Sequence, residues 1–164
     1  MKIFLDTAEV DAVAQRFASG LIDGVTTNPS LIRKSGKDPI DVYKEFREIG
    51  ILDISMEVVG SVGEMYEQAV KLHSEFRDVA TIKLPCTVDG LQVCDALSNQ
   101  GIRTNVTLVF SAAQAILAAK AGATYVSPFI GRYDDNSISG LELVRSITSI
   151  YQVQGVETQV LAAS

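Results

Sequence analysis

One histidine and two cysteines are all that this 164-residue chain could offer a transition metal or a disulfide. Cys86 and Cys94 are not spaced as a CxxC pair and His73 stands alone, so neither a metal site nor a disulfide is expected. Basic residues are also scarce: 14 Lys and Arg stand against 20 Asp and Glu, a net charge of -6. Nucleic acid demands clustered cations, so no nucleic-acid partner is expected, whereas a small anionic substrate needs only one or two local arginines. No apolar run approaches the length of a membrane span, and the opening Met1-Lys2-Ile3-Phe4-Leu5 meets Asp6 too soon for a signal-peptide core. The expectation is a cytoplasmic protein with no membrane partner. No GxGxxG turn follows the first strand-like run, which weakens a dinucleotide-binding reading. No linker or charge block divides the chain, and 47% hydrophobic with 21% charged residues suits one ordinary core, so residues 1–164 are expected to form a single domain.

What is present is an alternation of short β-like runs with longer helical patterns, the mark of successive βα units around a parallel sheet. Strands are predicted near residues 2–6, 23–27, 53–58, 79–84, 103–108, 124–129 and 158–162, with helices at Val10 to Phe17, Pro39 to Ile49, Val62 to Phe76, Gly90 to Asn99, Ala112 to Ala121 and Gly140 to Tyr151. Gly20, Gly50, Gly101 and Gly122 fall just past helical patterns, where a left-handed cap suits glycine. Periodicity alone leaves an eight-fold β/α barrel and an open doubly wound sheet in competition. About seven strands is one short of a closed barrel, and the chain stops at Ser164 straight after the last of them. A truncated copy is therefore expected, with uncovered apolar faces that favour association.

Within this frame one segment carries most chemistry. Ala80-Thr81-Ile82-Lys83-Leu84-Pro85 places a lysine inside an apolar strand. Burial disfavours an ammonium, and a deprotonated amine can attack a carbonyl and hold it as a Schiff base; the plainer reading is a strand-end lysine reaching for solvent. Its company favours chemistry. Asp6, Thr27 and Asn28, Glu57, Asn105 and Thr107, Ser127 and Phe129 with Arg132 beyond, and Ser164 all lie at the ends of other predicted strands, which converge on one face if the sheet closes as a barrel. Singly, Asp6 and Asn28 could cap helices and Thr107 could be an ordinary strand residue. Together they suit one reaction: Lys83 adds to a ketone, Glu57 and Thr107 relay the proton that expels water, and Asp6 takes a hydroxyl proton as a carbon-carbon bond breaks. Asn28, Asn105 and Ser127 offer neutral hydrogen bonds to sugar hydroxyls, and Arg132 a charge-assisted pair to phosphate.

At these residues the chain resembles a known family. Asp23-Gly24-Val25-Thr26-Thr27-Asn28-Pro29-Ser30-Leu31-Ile32 is similar to the signature of the transaldolases, and Thr81-Ile82-Lys83-Leu84-Pro85 to their Schiff-base strand. Asn105-Val106-Thr107-Leu108-Val109-Phe110 and Ser127-Pro128-Phe129-Ile130-Gly131-Arg132 resemble the fifth and sixth strands. The resemblance runs from Phe4 to Ser164. It implies an α/β fold of the (β/α)8 TIM type, with about seven of the eight strands in this chain. The implied activity is transfer of a dihydroxyacetone unit between sugar phosphates, in the pentose phosphate pathway, by a homo-oligomer needing no cofactor.

Catalysis would then rest on Lys83, Asp6, Glu57 and Thr107, and substrate binding on Thr27, Asn28, Asn105, Ser127, Phe129, Arg132 and Ser164. The similar fructose-6-phosphate aldolases carry glutamine and tyrosine where this chain has Glu57 and Phe129, so the pair favours a transaldolase. A Schiff-base aldolase and an inactive fragment that binds sugar phosphate or assembles with a partner are the alternatives. Relatives continue past the serine that matches Ser164 into a basic residue and an eighth strand, so truncation is also what the resemblance implies.

Other features read as structure. His73 lies beside the helical stripe Met65, Ala69, Leu72 and Phe76; Cys86 and Cys94 read as small half-buried or buried thiols. Asp41 to Glu48 reads as a solvated helix face, and Asp134-Asp135-Asn136 as a loop rather than a calcium site.

Overall fold

The computed structural model describes residues 1–131 and 139–164. Arg132 and the Asp134-Asp135-Asn136 segment lie outside the described residues. All seven predicted strands are present: β1 (Phe4–Asp6), β2 (Gly24–Thr26), β3 (Ile54–Glu57), β4 (Ala80–Pro85), β5 (Thr104–Val109), β6 (Tyr125–Pro128) and β7 (Gln159–Val160). They follow one another in the sheet in chain order, and the pairs β1-β2, β2-β3, β5-β6 and β6-β7 are parallel. Sequential parallel strands joined by helices are the architecture of the TIM-type β/α fold, as expected.

The helices are α1 (Val10–Phe17), α2 (Pro29–Ser35), α3 (Pro39–Ile49), α4 (Val62–Phe76), α5 (Val88–Ser98), α6 (Ala112–Lys120) and α7 (Gly140–Gln154), with a short 3-10 turn at Arg77–Val79. Helix α2 is one more than the sequence pattern predicts. It buries only Ile32, so it has no apolar stripe to betray it, and it is held by local devices instead. Asn28 Oδ1 accepts from the backbone N–H of Ser30 and Leu31, Pro29 opens the first turn, and Gly36 closes it at φ +70°. The four glycines expected to adopt a left-handed backbone all do, with φ between +74° and +101°. Gly90 has a different reason to be glycine: a Cβ there would sit 2.0 Å from the carbonyl oxygen of Pro85, so any side chain would push α5 away from the end of β4.

The chain forms two compact units. The first holds Met1–Glu57 and Ala69–Ile82, the second Val58–Gln68 and Lys83–Ser164. In the first, Val13, Val25, Val42, Phe46, Ile54 and Met56 are fully buried. Helix α3 presents Val42, Tyr43 and Phe46 on its buried side while Asp41, Arg47 and Glu48 face water, the solvated face expected. Phe46→Ala should destabilise the protein by about 3–5 kcal/mol, read as a lower denaturant midpoint, because a fully buried ring leaves a cavity that the surroundings fill only in part. In the second unit Leu84, Cys94, Leu97, Val106, Val109, Val126 and Ile147 are buried, and the Tyr151 hydroxyl on α7 donates to the carbonyl of Ala115 on α6. Among the described residues no helix is long and apolar enough to cross a membrane.

Candidate active site

In the first unit, residues of β1, β2 and β3 supply two carboxylates. Asp6 closes β1 and is exposed; its register partner on β2 is Thr26, whose hydroxyl donates to Asp6 Oδ1 at 2.9 Å. Asp6 therefore engages the neighbouring strand, while Asn28 does cap the following helix. Thr27 points to the opposite face. It is fully buried, donates to the carbonyl of Ser55, and so receives the hydroxyl of Tyr43 from α3 at 3.2 Å. The threonine beside Asp6 is therefore Thr26 and not the expected Thr27; a strand alternates its side chains, so adjacent threonines cannot share a face.

Glu57 ends β3 half-buried. The Tyr43 phenol titrates above its ordinary value of 10.0, chiefly through burial, with the Glu57 carboxylate adding to the rise against the Thr27 hydrogen bond. Four residues before Glu57, just ahead of β3, buried Asp53 accepts the Thr81 hydroxyl of β4 at Oδ1, 2.7 Å away.

The second unit holds the amine. Lys83 on β4 is only 6% exposed, which settles the question of a solvent-reaching lysine: it is a buried one. Its neighbours in sequence, Ile82 and Leu84, are fully buried too and project to the other face. On β5, Asn105 and Thr107 are buried at alternate positions, sharing a face. Asn105 Oδ1 accepts from Ser127 Oγ on β6 at 2.8 Å. Thr107 has its carbonyl engaged by the N–H of Cys86, but its buried hydroxyl has no hydrogen-bond partner. A buried hydroxyl without a protein partner is costly and calls for an explanation, of which a bound water or ligand atom is one.

Phe129 follows β6, pairs with Ala163 by a parallel bridge, and meets the ring of Phe110 edge-on with centroids 5.6 Å apart. Ser164 lies next to Gly131, where a Cβ would come within 2.7 Å of its Oγ. The thiols are held in their unreactive form: burial pushes Cys86 up and Cys94 up to about 11.

The whole of residues 3–164 matches the family described as Transaldolase/Fructose-6-phosphate aldolase. The chain belongs to that family. A protein of Erythrobacter litoralis named probable transaldolase is 53% identical over 165 residues, covering 100% of this chain and 76% of its own length. Probable transaldolases of Ruegeria sp. (strain TM1040) and Thermodesulfovibrio yellowstonii are 51% and 50% identical, again over 100% of this chain and over 76% and 77% of their own lengths.

For a member of this family the second unit's inventory is informative, because a buried amine, a buried amide-hydroxyl pair and an unpartnered threonine hydroxyl lie on three successive strands. Within β5, Leu108 has φ +60°, in the left-handed region. Among the described residues no group of three or more His, Cys, Asp or Glu side chains could hold a metal ion.

Proposed function

We propose that the protein transfers a dihydroxyacetone unit between sugar phosphates, taking it from a ketose phosphate and passing it to an aldose phosphate through a Schiff base on Lys83. The observation that carries this reading is the burial of the Lys83 amine on the strand next to Thr107 and its unpartnered hydroxyl. Lys83 adds to the substrate ketone, giving a carbinolamine. Glu57, with a water held at Thr107, delivers the proton with which hydroxide leaves, and the iminium forms. Asp6 then takes the proton of the hydroxyl next to the scissile bond. As that carbon-carbon bond breaks, its electron pair flows into the iminium, leaving an enamine and a free aldehyde. The enamine attacks an acceptor aldehyde, Asp6 returns the proton, and hydrolysis frees Lys83. Asn28, Asn105 and Ser127 suit sugar hydroxyls, Arg132 suits phosphate, and Ser164 completes the assignment; Thr27, expected among the binding residues, is left out because its hydroxyl is buried against Ser55 and Tyr43 on the face away from Asp6.

Incubation with fructose 6-phosphate and borohydride tests the chemistry, since reduction fixes an imine in place and peptide mapping locates it. A mass increment on the peptide holding Lys83 is expected. An adduct elsewhere, or none, would remove Lys83 as the nucleophile.

Transfer is favoured over release of free dihydroxyacetone by the side chain at position 129. Phe129 carries no hydroxyl, so it cannot assist protonation of the enamine, and its edge contact with Phe110 keeps an apolar wall there. The names of the relatives point the same way. Phe129→Tyr should raise free dihydroxyacetone relative to transfer onto erythrose 4-phosphate by roughly 10-fold, less than the 10²–10⁴-fold typical of a positioned proton donor, because an introduced hydroxyl is not aligned by its surroundings. An unchanged product ratio would remove residue 129 from this control.

A further inference from the structure

Between Val106 and Val109, β5 advances three residues while its partner β6 advances from Val126 to Pro128, so β5 carries one residue more than its neighbour. The extra residue is a bulge, and Leu108 within it sits at φ +60°. Only one other described non-glycine residue has a positive φ, Arg77 in the exposed turn before β4. A leucine in this region is disfavoured by contact of its Cβ with the backbone, and neither asparagine nor glycine has been placed there to relieve it. Nor is the Leu108 side chain an evident reward, since it is 40% exposed. What the conformation achieves is local. Ordinary alternation would put Val109 on the face shared by Asn105 and Thr107, and the bulge breaks that relation one residue after Thr107. The Thr107 carbonyl meanwhile stays locked to the N–H of Cys86 on the β4 side, and its hydroxyl stays buried without a partner.

We propose that Leu108 is a positioning residue: its left-handed backbone holds the β5 bulge, and the bulge sets where the Thr107 hydroxyl stands for the proton relay to the Lys83 carbinolamine. This rests on the Schiff-base reading above. The backbone conformation does the work, so the substitutions rank by their tolerance of a positive φ and not by similarity to leucine. Glycine and asparagine accept it, whereas isoleucine, nearly the volume of leucine, is β-branched and resists it.

Single-turnover imine formation, trapped with borohydride and followed beside steady-state kinetics, separates the two orders. Leu108→Ile is expected to slow imine formation roughly 10-fold with KM altered less than about 2-fold, as for a misplaced proton-transfer group. Leu108→Gly and Leu108→Asn should stay closer to the parent rate. Their thermal midpoints should rise by about 2–4 °C while that of Leu108→Ile falls, because relief of strain stabilises the folded state only where φ is positive. In a Thr107→Val background the isoleucine penalty should vanish, since both changes then act on the same group.

A slow glycine variant beside a normal isoleucine variant would overturn the proposal, as would penalties that multiply in the double variant. If Leu108→Ile does not fold, slow imine formation by both folded variants overturns it and parent-like rates with raised midpoints support it. A parent protein that forms no imine at all removes the Schiff-base reading and this role with it, whereas imine in the parent with the wrong ranking removes this role alone.

Discussion

Lys83→Met is expected to abolish borohydride trapping on the β4 peptide and to lower transfer activity by roughly 10⁴-fold or more, the scale seen when a covalent nucleophile is removed. Methionine nearly matches the lysine stem in length and is at home in a buried position, so the fold has no reason to fail. A retained cooperative thermal transition makes the comparison clean. The size of the loss follows from what no other residue of the second unit's site can replace: Asn105 and Thr107 on β5 and Ser127 on β6 offer hydrogen bonds, and none offers an amine. Activity surviving in a folded Lys83→Met protein would mean that carbon-carbon cleavage here does not pass through this lysine, and the Schiff-base reading would go with it.

Why Lys83 could be found from sequence, and Leu108 could not, is a matter of contrast. A charged residue between Ile82 and Leu84 breaks an apolar strand, and the break is visible in the letters. The bulge at Leu108 is written in ordinary strand residues, Val106 to Val109, with no glycine or asparagine to mark a positive φ. Its cause is tertiary: β5 pairs with β6 in a register that one extra residue must absorb.

Thr26 and Thr27 show a second limit. Both stand at the end of β2, and deciding which one faces Asp6 is a question of register by a single residue, which local sequence leaves open. The strands themselves were legible because each βα unit repeats the same change of period, from two to 3.6, and the glycine caps punctuate it. Helix α2 escaped because seven residues with one buried side chain offer no period to read, although Asn28, Pro29 and Gly36 mark its two ends.

Glu57→Gln is the second large effect expected. Glutamine keeps the shape and hydrogen-bonding reach of the side chain but can neither give nor take a proton. Loss of a positioned acid-base group costs typically 10²–10⁴-fold, and roughly 10²-fold is expected in imine formation. The later steps should respond less: an imine already formed has no water left to expel, so partition between cleavage and reversal should move little. A second readout tells a proton role from a packing defect. The Glu57 carboxylate is one reason the Tyr43 phenol titrates high, so removing its charge should lower the Tyr43 pKa, followed by ultraviolet difference titration. Burial is the larger cause, and the phenol should still titrate above its ordinary value of 10.0. A Tyr43 titration that falls as expected, with imine formation as fast as in the parent, would show the carboxylate in place and idle, and the proton that expels water would have to come from Thr107's water by another route.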